Sequence, residues 1–292
     1  MTEIKNKSYL LIAILAIIWG SSFILMKRAL LVYTPYQVGS VRIFVAFLFM
    51  LPFVVRYFRT IERSKWKYLI AAGILGNGIP SILFPLAETR INSAVAGMIN
   101  TLTPIFTLII GVLFFGMKVG QNRILGLAIG LLGAFLLVMG QNSGIGINQI
   151  NSFALFVVLA TVCYAFSVNI IRNKLSSIDS LRNSGFAIFF IGIPMGIYTF
   201  STDFVSRTVH TEGAGFSLLC IAILGIFSTA ISTIIFNKVI KTAGALAATS
   251  VTYLIPFVAV LWGLWDHESL GVFHFIGMTA ILFGVYIVNR QK

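Results

Sequence analysis

The chain has 292 residues, of which 58% are hydrophobic and only 10% are charged, and it carries a net charge of +13 at neutral pH. A soluble domain carries roughly 25% charged residues, so these charges are too few to clothe a water-facing surface, and most of the exterior must meet hydrocarbon. The basic residues sit in short gaps between long apolar runs rather than on one folded face, which argues against a nucleic-acid partner.

Ten apolar runs are read in chain order: Ser8–Met26, Tyr36–Val55, Trp66–Pro85, Ser93–Phe115, Ile124–Gly140, Ser152–Ile171, Ser184–Phe200, Gly215–Phe236, Ala243–Trp265 and Gly271–Val288. A spanning helix needs about 17–25 residues, and each run reaches that length; those at Ile124 and Ser184 are the shortest. The first run is long enough to span, and no small-residue cleavage site follows it, so no cleavable signal is expected. The gaps are too short for an extramembrane domain. Cys163 and Cys220 both lie in apolar runs; without metal-ligand spacing or a disulfide framework they read as small buried side chains.

Lysine and arginine set the expected orientation. With the N-terminus in the cytoplasm, sixteen fall in cytoplasmic segments, four (Lys27, Arg28, Arg90 and Arg207) in external ones, and Arg42 within a span. That asymmetry satisfies the positive-inside rule and places both termini in the cytoplasm.

The second half slides onto the first. Pro104 falls on Pro256 and Gly111 on Gly263; Gly126 falls on Gly277 and Gly133 on Gly284. Pro52 falls on Pro194, Leu75-Gly76 on Leu224-Gly225, Trp19 near Tyr164, and Lys27 on Arg172. The expected units are 1–140 and 152–292, five spans each. Two odd-numbered units in tandem lie in opposite orientations, so the expected architecture is all-α and integral to the membrane, ten helices as two inverted five-helix repeats. The gap charges agree: Lys118 and Arg123 follow the fourth run, whereas Asp266 and Glu268 follow the ninth.

Candidate site residues are polar or helix-breaking groups inside spans. Arg42 lies six residues into the second run, or about 9 Å at ~1.5 Å per residue. A charge there faces a cavity or a partner; the alternatives are snorkelling to the interface or an interhelical anchor. Pro104 and Pro256 interrupt matching helices, the pattern that points to a midplane site, or they only bend helices to fit. Asn77-Gly78-Ile79-Pro80 interrupts the third run, with Ile226-Phe227-Ser228-Thr229 opposite it in the eighth. Ser21, Ser22, Asn77, Asn100, Asn169 and Thr252 are further polar groups deep in runs, although hydroxyls there more often join helices. Trp19, Tyr164, Tyr253 and Trp262 are aromatic candidates for a pathway wall, with the outer aromatic belt as the alternative for Trp262 and Trp265. All eight acids are read as lying in gaps or tails, His274 as interfacial, and Asp266-His267-Glu268 as a solvated loop rather than a metal site. There is no Gly-x-Ser-x-Gly elbow, His-Glu-x-x-His motif or acid pair to support an intramembrane enzyme.

Trp19-Gly20-Ser21-Ser22-Phe23 followed by Lys27 resembles the first-span signature of the EamA-type transporters of the drug/metabolite transporter superfamily. Val41-Arg42-Ile43-Phe44 with Pro52 resembles the second-span pattern; Asn100-Thr101-Leu102-Thr103-Pro104 and Thr252-Tyr253-Leu254-Ile255-Pro256 resemble the paired fourth- and ninth-span pattern. The Gly-rich fifth and tenth runs also match, and the likeness covers nearly the whole chain as two copies of a five-span unit. One departure is that the family often has Glu after both the fourth and ninth spans; here Glu268 keeps one position and Lys118 occupies the other. The resemblance implies a permease or exporter of the plasma (inner) membrane, moving small polar or amphipathic metabolites such as amino acids by alternating access. The expected pathway residues are Trp19, Ser22, Arg42, Asn77, Asn100, Pro104, Tyr164, Asn169, Tyr253 and Pro256. The expected partners are a small-molecule substrate and the bilayer, around a monomer without cofactor, metal or nucleic acid. An intramembrane enzyme or a non-transporting scaffold is the alternative. With no acid expected inside a span, the simplest expected mechanism is facilitated diffusion.

Overall fold

The structure, a computed structural model, describes residues 2–117, 121–139 and 152–289. Among them every regular element is helical. In hydrocarbon each backbone N–H and C=O must be paired internally, which a helix achieves within one segment. Among the described residues, seven helices are long and apolar enough to cross a membrane: α1 Leu10–Ala29, α2 Pro35–Thr60, α3 Arg63–Glu88, α4 Ser93–Phe115, α6 Ala154–Lys174, α7 Ser180–Ser201 and α8 Ala214–Ala243. Three further apolar helices follow among the described residues: α5 Gln121–Met139, α9 Val251–Trp265 and α10 Val272–Asn289. The run expected at Ser184 is thus a 22-residue helix. Lys118, the boundary expected at 140–152, and the terminal Arg290 and Lys292 lie outside the described residues.

Local sequence sets the helix ends. The Thr34 side chain accepts from the Gln37 N–H while the Gln37 side chain accepts from the Thr34 N–H, a capping box with Pro35 in the first turn; such caps satisfy donors that a helix start leaves free. α4 stops at Gly116, whose φ of 66° is left-handed, a conformation glycine adopts without the Cβ penalty.

The outside is more apolar than a water-soluble protein tolerates. Leu10, Ile17, Phe49, Leu113, Phe114, Leu132, Ile197, Leu219 and Phe283 all face outward, while Asn, Ser and Thr side chains are buried in numbers. α2 packs along α7 and α5 along α10; α1 packs on α9 as α4 packs on α6; α2 packs on α8 as α3 packs on α7; and α4 meets α9. At the glycines of the α5–α10 contact the two backbones approach directly. A Cβ on Gly133 would lie 2.6 Å from the Ile281 nitrogen, and one on Gly284 would lie 2.5 Å from the Gly126 oxygen. Small residues of this kind let membrane helices approach closely where no hydrophobic drive separates helix from lipid.

Four helices depart from α-helical geometry along their length or at their start. α3 turns π-helical over Ile74–Gly78 and α8 over Leu224–Ile231. α4 narrows to a 3-10 turn at Asn100–Leu102, and Ser250–Tyr253 does the same in the last half. Pro104 and Pro256 sit in the first turn after these 3-10 segments, where a missing N–H does least harm. π-Helical bulges often mark functional positions.

Two expectations about acidic residues are corrected. Glu88 is the last residue of α3, not part of a gap; it is buried, and neither carboxylate oxygen has a hydrogen-bond partner. Glu268 is not in a solvated loop. Its side chain is 2% exposed, because it is folded back over the start of α4.

Candidate functional site

The interrupted helices enclose one cavity between α1, α2, α3, α4, α6, α7, α8 and α9. About 100 Å³ of it is open to the centre of a water-sized sphere, and by that measure one water needs roughly 10–15 Å³. There is room for a small solute.

Trp19, Ser22, Arg42, Asn77, Asn100 and Tyr164 all line this space. Arg42 on α2 reaches α8: its Nε donates to Thr229 Oγ1 at 2.7 Å, Nη2 donates to the Ser228 carbonyl at 3.5 Å, and Nη1 lies 3.7 Å from Met26 Sδ. The π-helical turn holds those acceptors at the wall. Trp19 Nε1 donates to the same Ser228 carbonyl at 3.0 Å, and its ring meets Phe236 edge-on at 5.1 Å. Ser22 Oγ is spent on the Trp19 carbonyl at 2.6 Å. Asn77 Oδ1 accepts from Thr233 Oγ1 at 3.3 Å, joining the π-helical stretch of α3 to the α-helical turn that follows the one in α8. Asn100 Oδ1 accepts weakly from Thr103 Oγ1 at 3.4 Å. Tyr164 stacks on Phe84, with ring centroids 6.0 Å apart.

Pro104, Asn169, Tyr253 and Pro256 lie outside the lining. Asn169 ties helices together instead: its Nδ2 donates to the Thr107 carbonyl at 3.0 Å and to the Ala165 carbonyl at 2.9 Å. Tyr253 Oη donates to the Val285 carbonyl on α10 at 3.3 Å. Ser21 and Trp262 pair with each other at 2.9 Å, while Trp265 faces outward. Thr252 does reach the cavity.

Sequence reasoning missed Ser167, Asn183, Thr229, Thr233 and Asn237, which line the same space. Asn183 is fully buried, and neither its Oδ1 nor its Nδ2 has a partner. Asn237 Nδ2 donates to Ser184 Oγ at 2.7 Å, but its Oδ1 is unpartnered. The available signal was an amide at the edge of an apolar run. Asn183 was passed over because it precedes the seventh run.

Ion pairs tie the start of α4 to α1 and to the end of α9. Lys27 Nζ lies 2.5 Å from Asp266 Oδ2 and 2.8 Å from Glu268 Oε1, and Arg28 pairs with Asp266. Glu268 also accepts from Ser93 N–H at 3.1 Å, Ser93 Oγ at 2.8 Å and Ala94 N–H at 3.0 Å, capping the N-terminus of α4. Burial works to raise the Glu268 and Asp266 carboxyls, but hydrogen bonds and the Lys27 charge outweigh it and hold both below the usual carboxylate range. The other end of α4 is built differently. There Met117 N–H donates to the Gly111 carbonyl, as Glu268 N–H does to Gly263, and Arg172 meets the Met117 sulfur at 3.5 Å rather than a carboxylate.

Comparisons with known proteins agree with this architecture. The model of the EamA-like transporter family matches twice, over residues 6–139 and 151–290. An uncharacterized transporter of Archaeoglobus fulgidus is 26% identical over 98% of this chain and 100% of its own length. The uncharacterized inner membrane transporter YedA of Escherichia coli (strain K12) is 24% identical over 95% of this chain and 89% of its own. The uncharacterized transporter YdfC of Bacillus subtilis is 25% identical over 92% and 86%. A solved crystal structure superposes with a TM-score of 0.63 over 97% of this chain and 96% of that one, at 13% identity, which speaks to the fold alone. With apolar helices throughout and two matches to one family model, this multi-pass membrane protein belongs to the EamA-like transporter family.

Proposed function

We propose that this protein carries small polar or amphipathic metabolites, such as amino acids, out of the cell by alternating access. The units 1–140 and 152–292 act as inverted five-helix repeats that cross the membrane ten times in all, with both termini in the cytoplasm. The observation that carries the reading is the cavity itself: matched π-helical turns in α3 and α8, and matched 3-10 turns before Pro104 and Pro256, converge on one space whose largely apolar wall carries a few polar groups. Interrupted helices in corresponding positions of two halves are how inverted-repeat transporters build a midplane site. The helix pairings support this reading: α1 on α9 is matched by α6 on α4, and α2 on α8 by α7 on α3, the exchange expected of two related halves. Arg42, Trp19, Asn77 and Tyr164 bind the solute; Pro104 and Pro256 serve the rocking motion, with Asn169 and Tyr253 as interhelical ties.

The test is metabolite profiling of the medium from cells over-producing the protein against a vector control, followed by flux in liposomes. Accumulation of one or more small solutes in the medium is expected. An unchanged medium across several nutrient conditions, with no flux in liposomes, overturns the reading. Flux follows the solute's own gradient, because no Asp, Glu or His is among the described residues that line the cavity. Glu88 favours a second reading, proton coupling, since a buried carboxyl without a partner is a titratable group inside the membrane. Uphill accumulation driven by a pH gradient and lost in Glu88→Gln selects it.

A further inference from the structure

We propose that the solute is a monocarboxylate, with its one carboxylate on Arg42 and a far end that carries a hydrogen-bond donor received by Asn183 and Asn237. This rests on the transporter reading and narrows it to a substrate class.

Arg42 is the only charged side chain among the described residues lining the cavity. It keeps partial exposure although it sits well inside α2, so its free surface is cavity surface. It forms no ion pair among the described residues. Its one short hydrogen bond, at 2.7 Å, goes to a neutral hydroxyl through Nε, while both terminal nitrogens have only long contacts, at 3.5 and 3.7 Å. The terminal edge of the guanidinium is therefore available as a fork. That edge matches a carboxylate bidentately. Among the described residues no carboxylate lies within ion-pair distance of this largely buried cation, and an entering carboxylate offsets the cost of leaving it so. A single guanidinium balances one negative charge, which favours a carboxylate over a dianionic phosphate.

Asn183 and Asn237 define the other end. Three of their four side-chain polar atoms are buried and unpartnered, and both residues line the cavity. Buried polar atoms are almost always paired, so these are set to receive something. Asn237 lies eight residues beyond Thr229, the Arg42 partner, on the same helix, which is about 12 Å along the axis. An α-ammonium, one carbon from its carboxylate, does not bridge that distance; a chain-end amine, hydroxyl or amide does.

The experiment uses the purified full-length protein and thermal unfolding with five probes: pentanoate, pentanamide, 5-aminopentanoate, its isomer norvaline, and inorganic phosphate. The expected order is the largest midpoint rise with 5-aminopentanoate, smaller rises with pentanoate and norvaline, and none with pentanamide or phosphate. Arg42→Gln weakens pentanoate binding by about tenfold or more, as expected for a lost hydrogen bond to a charged group, and leaves pentanamide unchanged. Should Arg42→Gln fail to fold, Asn183→Leu decides the question: it keeps the pentanoate shift and erases the advantage of 5-aminopentanoate. A shift with pentanamide or phosphate equal to that with pentanoate overturns the inference, as does the absence of any carboxylate shift. Liposome flux separates the two levels. Movement of neutral or cationic solutes without carboxylate binding sinks only this inference, whereas carboxylate binding without any flux sinks the transporter reading and leaves the site.

Discussion

Replacing Glu268 tests how the ends of α1, α4 and α9 are held. In Glu268→Ala the first turn of α4 loses its cap, a change that typically costs about 1 kcal/mol within a range of about 0.5–2. The Ser93 Oγ and Ala94 N–H donors that Glu268 now satisfies are left buried, which brings the loss to the upper part of that range. The Lys27 partner is 37% exposed, so its ion pair adds only about 0.5 kcal/mol. The sum is roughly 2–3 kcal/mol, or about 5 °C in unfolding midpoint for a chain of this size. Glu268→Gln keeps one acceptor oxygen and loses the charge, so it falls about halfway. Thermal unfolding of purified protein in detergent measures both. An Ala variant within about 1 °C of wild type refutes the capping argument. The pH dependence follows with a fixed sign. Carboxyls held low in the folded state contribute stability above their ordinary values and lose it as pH falls through their folded values. The ordinary values are 4.5 for Glu268 and 3.8 for Asp266. Stability that depends on this cluster is therefore flat near neutrality and declines in the acid range below about pH 4.5. The Asp266→Asn, Glu268→Gln double variant declines less steeply there.

Three further substitutions separate packing from function. Gly133→Ala places a Cβ within 2.6 Å of the Ile281 nitrogen; a steric insertion of this kind costs about 1–3 kcal/mol, read as a lower unfolding midpoint, and an unchanged midpoint refutes the tight α5–α10 contact. Asn169→Leu removes two donors, to Thr107 and Ala165, and costs about 1–3 kcal/mol, while leaving the ranking of the five probes intact. Asn183→Leu removes a buried amide with no partner and raises stability by about 1 kcal/mol or more, together with the loss of solute preference; a lower midpoint with unchanged preference contradicts its place in the site.

The sequence made the helices legible because hydrocarbon leaves few alternatives. A run such as Ser93–Phe115 coincides with its helix to the residue, since apolar length and the flanking turn residues decide it. Part of the site was also legible. A proline or an arginine in an apolar run stands out, and so Arg42 and the Asn77 interruption were found. The sequence did not reveal how lining residues assemble, because Thr229, Thr233 and Asn237 each occupy one face of a helix whose other faces are apolar, and only the packing of eight helices shows that they share a space with Asn183. The reverse error arose with Asn169, a deep amide whose partners are two carbonyls one helix apart. The Lys27–Glu268 pair spans 241 residues, beyond any local pattern.

The claim that the two halves alternate access to one cavity is tested most directly by thiol labelling of the cavity from each side. Ser22→Cys places a thiol in the lining, in a background where the buried Cys163 and Cys220 are replaced by Ala. A membrane-impermeant maleimide is applied to right-side-out and inside-out vesicles, with and without a bis-maleimide bridge between cysteines introduced at Lys27 and Glu268. The account predicts labelling from both sides in the unbridged protein, and labelling from the cytoplasmic side alone once the bridge is made. Labelling from one side only before bridging, or a bridge that changes neither side, contradicts it.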